Sequence, residues 1–183
     1  MVDGKIPPGG VAFSTQKGIV FSARGNVRRN LLLDHGRGIY CANSVHTPTH
    51  PPSRGSVIEE NVIVTRNSQS HPEAFTLGID SRGSDERIRY NVIHCPVSWK
   101  TVGIMPAGTG TWVQQNVITA SEIVRNGYAN PNRAVGIGMG NHASGMVGVA
   151  NSTRGFDVGI GPAGVYQSRP YQAIDHQSIQ DVL

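Results

Sequence analysis

The sequence predicts an all-β protein, a right-handed single-stranded parallel β-helix of about six coils, on the strength of three observations. The tripeptide Asn-Val-Ile occurs at 61–63, 91–93 and 116–118. A Gly-Ile pair occurs six times along the chain. The runs between these motifs are short and rich in β-branched residues, and they are bounded by Gly, Ser, Asn and Pro, as strands typically are. A unit that recurs in this way is the sequence signature of a solenoid.

The asparagines set the period of the repeat. They are Asn30, Asn61, Asn91, Asn116 and Asn151, at separations of 31, 30, 25 and 35 residues. Three strands and three turns need roughly 20 residues per coil, so the longer separations leave room for loops. Stacked coils place equivalent side chains in columns about 4.8 Å apart. We expect the asparagines to occupy left-handed turn positions and to hydrogen-bond to one another in a ladder.

Two aliphatic columns are predicted to fill the core. One consists of the residue after each repeated glycine: Ile19, Ile39, Ile79, Ile104, Ile137 and Ile160. The other consists of the residue two places after each asparagine: Leu32, Ile63, Ile93, Ile118 and Thr153. Only 120–128 has a weak helical period, and there we expect at most one turn of helix.

Composition narrows the function classes. The chain of 183 residues carries 16 basic and 12 acidic residues, and its net charge of +4 comes without a Lys/Arg run of the kind that binds nucleic acid. No apolar stretch reaches the length of a membrane span. From these two observations, neither a nucleic acid nor a membrane is an expected partner. Cys41 and Cys95 fall in different registers of the repeat, and we expect both to be buried free thiols.

The repeat divides the chain into a parallel β-helix over 1–165 and a C-terminal tail over 166–183. The tail is predicted to act as a cap or a subunit contact. The first ten residues have few apolar groups that could cover a coil, whose exposed edges recruit other strands. We therefore expect either that another copy of the chain shields the first coil near Val11, Phe13 and Ile19 or that residues upstream of it were lost. The first alternative is the more economical and predicts a homo-oligomer.

A candidate site is predicted on the outward face of the Gly-Ile strands. With the isoleucines inward, the following residues point outward as the column Val20, Tyr40, Asp80, Met105, Gly138 and Gly161. Polar groups concentrate in the early coils at Tyr40, Asp80 and Arg82, with His35 nearby in sequence. The loops at 44–55 and 66–75 are expected to form the walls of a groove. The alternative interpretation is that Asp80 and Arg82 are only a solvated surface pair.

The "N-x-I … G-I" pattern over roughly 10–165 resembles the pectin-lyase-like superfamily of right-handed parallel β-helices. The resemblance implies carbohydrate as the ligand class and a location outside the cell or on a virion surface. We expect binding or processing of an acidic polysaccharide, with uronan β-elimination or epimerisation as the reaction if the chain is an enzyme. The rival hypothesis is a non-enzymatic structural or adhesive module, such as part of a phage tailspike or a surface fibre.

The candidate residues suit β-elimination better than hydrolysis. Elimination requires neutralisation of a substrate carboxylate, which Arg82 could provide, and a proton-transfer group, which could be Tyr40 or His35. Asp80 could contribute to a Ca²⁺ site, but one carboxylate is a poor site for an ion that takes six or more oxygens. Glycoside hydrolysis needs paired carboxylates. No dedicated metal ligands or cofactor-binding residues are therefore assigned.

Overall fold

The computed structural model describes residues 2–3, 17–41, 54–66, 76–98, 101–123, 134–140, 143–156 and 158–162. Within these ranges the chain forms seventeen strands and no helix. It follows that no helix capable of crossing a membrane occurs in this part of the chain. The predicted tail at 166–183, the two loops at 44–55 and 66–75, and Val11 and Phe13 lie wholly or largely outside the described residues.

The strands are short, and each complete coil contains three of them. In chain order they are β1 (Val2–Asp3), β2 (Lys17–Phe21), β3 (Asn26–Arg28), β4 (Leu31–His35), β5 (Arg37–Cys41), β6 (Val57–Glu59), β7 (Val62–Thr65), β8 (Thr76–Ser81), β9 (Arg87–Arg89), β10 (Val92–Ser98), β11 (Thr101–Pro106), β12 (Trp112–Gln114), β13 (Val117–Ile123), β14 (Val135–Met139), β15 (Val147–Val149), β16 (Ser152–Arg154) and β17 (Val158–Pro162).

Every third strand joins the same sheet. Sheet A has the order β1-β4-β7-β10-β13-β16, sheet B the order β17-β14-β11-β8-β5-β2, and sheet C the order β15-β12-β9-β6-β3. The strand pairings within the described residues are parallel throughout. Five complete coils, with one further strand before them and one after, confirm the predicted all-β parallel β-helix of about six coils.

Both predicted aliphatic columns are present and in register. In sheet B, Ile39 pairs with Ile79, which pairs with Ile104, and all three are fully buried. In sheet A, Leu32, Ile63, Ile93, Ile118 and Thr153 pair in succession. A third column, on sheet C, was not predicted; it consists of Val27, Ile58, Ile88 and Val113. The three columns meet inside the coil and form the core.

The asparagine ladder is confirmed. The side-chain amide of each asparagine from Asn30 to Asn116 donates to Oδ1 of its counterpart in the next coil, over 2.9–3.0 Å. The prediction that the asparagines are themselves left-handed was wrong. Positive φ belongs to the residue before each of them: Arg29, Glu60, Tyr90, Gln115 and Ala150. The turn is therefore made one residue earlier, which leaves the asparagine free to point inward and bond.

Two smaller expectations have different outcomes. The predicted helical turn at 120–128 was wrong where the structure describes it, because β13 continues to Ile123. Cys41 and Cys95 are both buried and neither forms a disulfide, as predicted. Burial raises the pKa of the Cys95 thiol to about 12, since desolvation disfavours the thiolate.

Candidate functional site

The repeated Gly-Ile step brings two polar residues of β5 to the outer face of sheet B. A β-carbon added to Gly38 would lie 2.6 Å from the carbonyl oxygen of Gly78 and 2.6 Å from Cγ2 of Ile63, a core residue. Gly38 therefore faces the interior, as does Ile39, and only glycine fits such a close approach. Because two successive residues turn inward, the flanking residues Arg37 and Tyr40 both face outward.

Asp80 is held by two arginines. It pairs with Tyr40 in the sheet register, and its side chain is completely buried. Arg82 Nε lies 3.1 Å from Asp80 Oδ1, and Arg82 Nη2 donates to Oδ2 over 3.2 Å. Arg37 Nη1 lies 3.4 Å from the same Oδ2. A buried carboxylate requires such partners, because an isolated charge would be strongly disfavoured away from water.

Three cationic groups surround the Tyr40 ring. Lys17 Nζ lies 4.3 Å from the ring centroid, Arg37 Cζ 5.1 Å and Arg82 Cζ 5.2 Å. These distances are within the range of cation–π attraction. The side chains of Arg37 and Arg82 are 15% and 27% exposed, so they are accessible at their edges. Lys17, Arg37, Tyr40, Asp80 and Arg82 are hereafter called the Tyr40 cluster.

The Tyr40 cluster is electropositive. It contains three cationic side chains and one carboxylate, and that carboxylate lies beneath the arginines rather than at the surface. Guanidinium groups present planar sets of donors that match carboxylate and phosphate oxygens. The arrangement can therefore attract an anionic group from solution.

Several arginines elsewhere are paired with carboxylates. Arg29 Nε lies 2.5 Å from Glu60 Oε2, and this hydrogen bond lowers the pKa of Glu60 below its usual range. Arg54 Nε lies 2.6 Å from Asp85 Oδ2, and the hydrogen bond that Arg54 donates to this carboxylate raises the pKa of Arg54. Glu59 bridges Arg28 and Arg89 on sheet C, at 2.8 and 2.6 Å. These pairs make Arg29 and Arg54 useful controls for the Tyr40 cluster.

The structure brings Tyr40, Asp80 and Arg82 together, as expected from the sequence, but it places His35 elsewhere. His35 ends β4 of sheet A and is 4% exposed. A β-carbon added to Gly18 would lie 3.1 Å from His35 Cδ2, so the imidazole packs inside the coil. Asp80 and Arg82 do form a pair, but the complete burial of Asp80 excludes the solvated surface pair considered above.

Sequence reasoning missed Lys17 and gave Arg37 no role. Both residues immediately precede a repeated Gly-Ile pair, and Lys17 pairs with Arg37 in the sheet register. Alternation along a regular strand would have turned them inward. The sequence does show a charged residue before each of the first two Gly-Ile pairs. Their outward direction follows only once it is known that the glycine and the isoleucine both face the interior.

A second acidic residue near the cluster is not available to it. Glu86 is fully buried, receives hydrogen bonds from the Ser81 hydroxyl and from Cys41 Sγ, and lies beneath the surface between β8 and β9. It therefore does not form a surface pair with Asp80. Among the residues that the structure describes, no group of three His, Cys, Asp or Glu side chains could hold a metal ion.

The fold and the cluster together define this chain as a parallel β-helix with an electropositive outer face on sheet B. No family model, curated protein or solved structure matches the chain. The chemistry of the Tyr40 cluster is therefore the basis for assigning a function.

Proposed function

We propose that this chain binds an acidic polysaccharide through the Tyr40 cluster. The observation that supports this proposal is the placement of Lys17, Arg37 and Arg82 around one tyrosine ring above a buried carboxylate. The exposed edges of the guanidinium groups can donate to a uronate carboxylate, and the lysine adds a mobile positive charge.

The sheet geometry favours a polymer over a small anion. Lys17, Arg37 and Arg82 belong to three successive coils, and parallel strands repeat about every 4.8 Å. The backbone positions that carry these cations therefore extend over roughly 10 Å along the solenoid axis. A polymer that carries a carboxylate on each sugar can contact more than one of them at once. Linked contacts of this kind raise the overall affinity without requiring a deep pocket.

A pectin-lyase-like ancestry, with action outside the cell or on a virion surface, belongs to the same proposal and rests on the "N-x-I … G-I" pattern. If the chain also performs β-elimination or epimerisation, Arg37 and Arg82 neutralise the substrate carboxylate and Tyr40 transfers the proton at C5. Asp80 is not suited to act as the base, because both arginines already engage it. The engagement of Asp80 favours the non-enzymatic alternative, in which the same surface only adheres to the polymer.

Binding is tested by calorimetry with polygalacturonate, alginate and a glycosaminoglycan, using neutral dextran as the comparison polymer. We expect binding to the three acidic polymers and not to dextran, with an affinity that falls as salt rises. Arg37→Gln and Arg82→Gln should each weaken binding at least about fivefold, or about 1 kcal/mol. Arg29→Gln removes the same charge from an exposed pair and should retain binding. An equal loss in all three variants would show that net charge, rather than the cluster, drives binding.

Catalysis is tested separately by absorbance near 235 nm, where unsaturated uronates absorb, with and without added Ca²⁺. A rise that is lost in Tyr40→Phe supports elimination. Binding without any such rise and without a change in polymer size or uronate configuration supports the adhesive module. Absence of binding to every acidic polymer would contradict the proposed function.

A further inference from the structure

A hydrogen-bonded group on the outer face of sheet A stands apart from the Tyr40 cluster. It consists of His94 on β10 and of Thr119 and Ser121 on the neighbouring β13. His94 Nδ1 lies 2.9 Å from Thr119 Oγ1. His94 Nε2 lies 3.2 Å from Ser121 Oγ. Both ring nitrogens of one imidazole are thus paired with hydroxyl groups.

The hydrogen positions that satisfy these contacts give the two hydroxyls different roles. Thr119 Oγ1 lies 3.5 Å from the carbonyl oxygen of Ile93, to which it can donate. Its oxygen is then the acceptor for N–H at His94 Nδ1. This tautomer leaves His94 Nε2 as an acceptor, and the Ser121 hydroxyl donates to it. Ser121 is thus hydrogen-bonded to a base, His94, which Thr119 in turn orients. This is the arrangement of an activated nucleophile.

The repeat does not require this group. The residues in register with His94 and Thr119 in neighbouring coils are Val64 and Arg154, which have no hydroxyl or imidazole. The pair of hydroxyls around one imidazole therefore does not belong to a ladder like that of the asparagines. Ser121 is also exposed, so a substrate can reach its hydroxyl.

An apolar strip lies on the same face, further along the strands. Val62, Val92 and Val117 pair in register and are 42%, 46% and 45% exposed. Val117 precedes Ser121 by four residues on the same strand, about 13 Å along it. The strip can hold the far end of a long apolar acyl chain while the acyl carbon is at Ser121. The ligand chemistry that this face suits is an ester with an apolar acyl chain.

We propose that Ser121 and His94 form a nucleophile–base pair that hydrolyses such esters. Ser121 Oγ bonds to the carbonyl carbon while its proton moves to His94 Nε2. The bond from the acyl carbon to the alcohol oxygen breaks, and the departing alcohol takes the proton from Nε2. Water then attacks the acyl-serine, His94 accepts its proton, and the carboxylic acid leaves as Ser121 Oγ regains a proton. Thr119 is a positioning residue that fixes the tautomer and the ring orientation.

The nucleophile is tested with a fluorophosphonate probe and peptide mass spectrometry on the unmodified chain. We expect the adduct on Ser121 and hydrolysis of p-nitrophenyl laurate, whose acyl chain is long enough to reach the apolar strip. Ser121→Ala should abolish both, and His94→Gln should slow both by about a hundredfold or more, the usual contribution of a general base. Ser144 is the matched control, because its hydroxyl also bonds across the sheet, but to the hydroxyl of Thr109, over 3.1 Å. Ser144→Ala should change neither result.

The positioning role of Thr119 has its own test. Thr119→Val should lower kcat for the ester more than it raises KM, and Thr119→Ser should restore most of the rate, because serine keeps a hydroxyl that accepts the hydrogen bond from His94 Nδ1–H and valine has none. Circular dichroism checks that each variant is folded. The proposal is overturned if no adduct forms on Ser121 of the unmodified chain, or if His94→Gln is labelled at the unmodified rate. These results do not depend on polysaccharide binding, which uses another sheet.

Discussion

The backbone N–H and the side-chain amide of Asn91 both donate to Oδ1 of Asn116, over 3.0 and 2.9 Å. Asn91 Oδ1 accepts the same two kinds of hydrogen bond from Asn61. Its amide also donates to the carbonyl oxygen of Ile58. One fully buried side chain therefore links three coils and satisfies the backbone at the turn.

Replacing Asn91 by alanine should lower the free energy of unfolding by about 1–3 kcal/mol, because buried donors and acceptors in two neighbouring coils lose their partners. Asn30→Ala is the control, since Asn30 begins the described ladder and is only partly buried. It should have the smaller effect. Denaturant-induced unfolding measures both, and equal losses would contradict a ladder in which burial determines the contribution of each rung.

Gly78→Ala should destabilise the chain by about 1–3 kcal/mol, in the range of overpacked cores. The added β-carbon would lie 2.4 Å from the Gly103 carbonyl oxygen and 2.7 Å from Ile93 Cγ2. Gly25→Ala is the matched control, because the closest atom there, Phe21 Cδ2, is 3.7 Å away. Its effect should be neutral or slightly stabilising. Thermal unfolding distinguishes the two, and tolerance of alanine at 78 would argue against the inward orientation of this glycine.

Asp80→Asn should produce opposite effects on stability and on binding. Loss of the charge weakens the contacts with Arg37 and Arg82, and we expect a decrease in stability of about 1.5–3 kcal/mol. The cluster becomes more positive at the same time, so affinity for an acidic polysaccharide should rise severalfold. Unfolding and calorimetry are performed on the same preparation. Weaker binding by a folded Asp80→Asn variant would indicate that Asp80 contacts the ligand or that the arginines need it for their orientation.

Cys95 should make the chain less stable at alkaline pH. Its pKa rises from 9.0 to about 12 in the fold, so above pH 9 the unfolded chain loses a proton that the folded chain keeps. The contribution of this thiol to the free energy of unfolding is complete below pH 9. It decreases as the pH rises towards 12, by up to about 1.4 kcal/mol per pH unit. Unfolding measured from pH 8 to 11 should show a shallower decline for Cys95→Ala. The native thiol should also resist a thiol reagent until denaturant is added, and rapid labelling of Cys95 in the folded chain would contradict its burial.

Association of copies remains a prediction from the sequence. A coil presents unpaired N–H and C=O groups at its end, and strands at such edges pair with other strands unless something covers them. We expect light scattering at micromolar concentration to show a defined homo-oligomer. A monomer at all concentrations would mean that the chain covers both ends of the solenoid itself.

The sequence by itself determined the architecture. Asn61, Asn91 and Asn116 recur with Ile63, Ile93 and Ile118, and any parallel stack of coils must place such repeats in columns. The same logic correctly placed Tyr40 and Asp80 beside each other on the outer face. These predictions needed only the period of the pattern, because equivalent positions in successive coils share one direction.

Only the tertiary structure determined the side-chain directions that depart from the repeat. Arg37 faces outward because Gly38 lies against Ile63 of another sheet, a contact invisible to local alternation. His35 packs inside the coil, and His94 contacts Ser121, 27 residues later in the chain, across two neighbouring strands. Side-chain direction at these points depends on which atoms approach from neighbouring coils. The approach of these atoms depends on packing between segments that are distant in the sequence, whereas the coil itself depends on repeated local patterns.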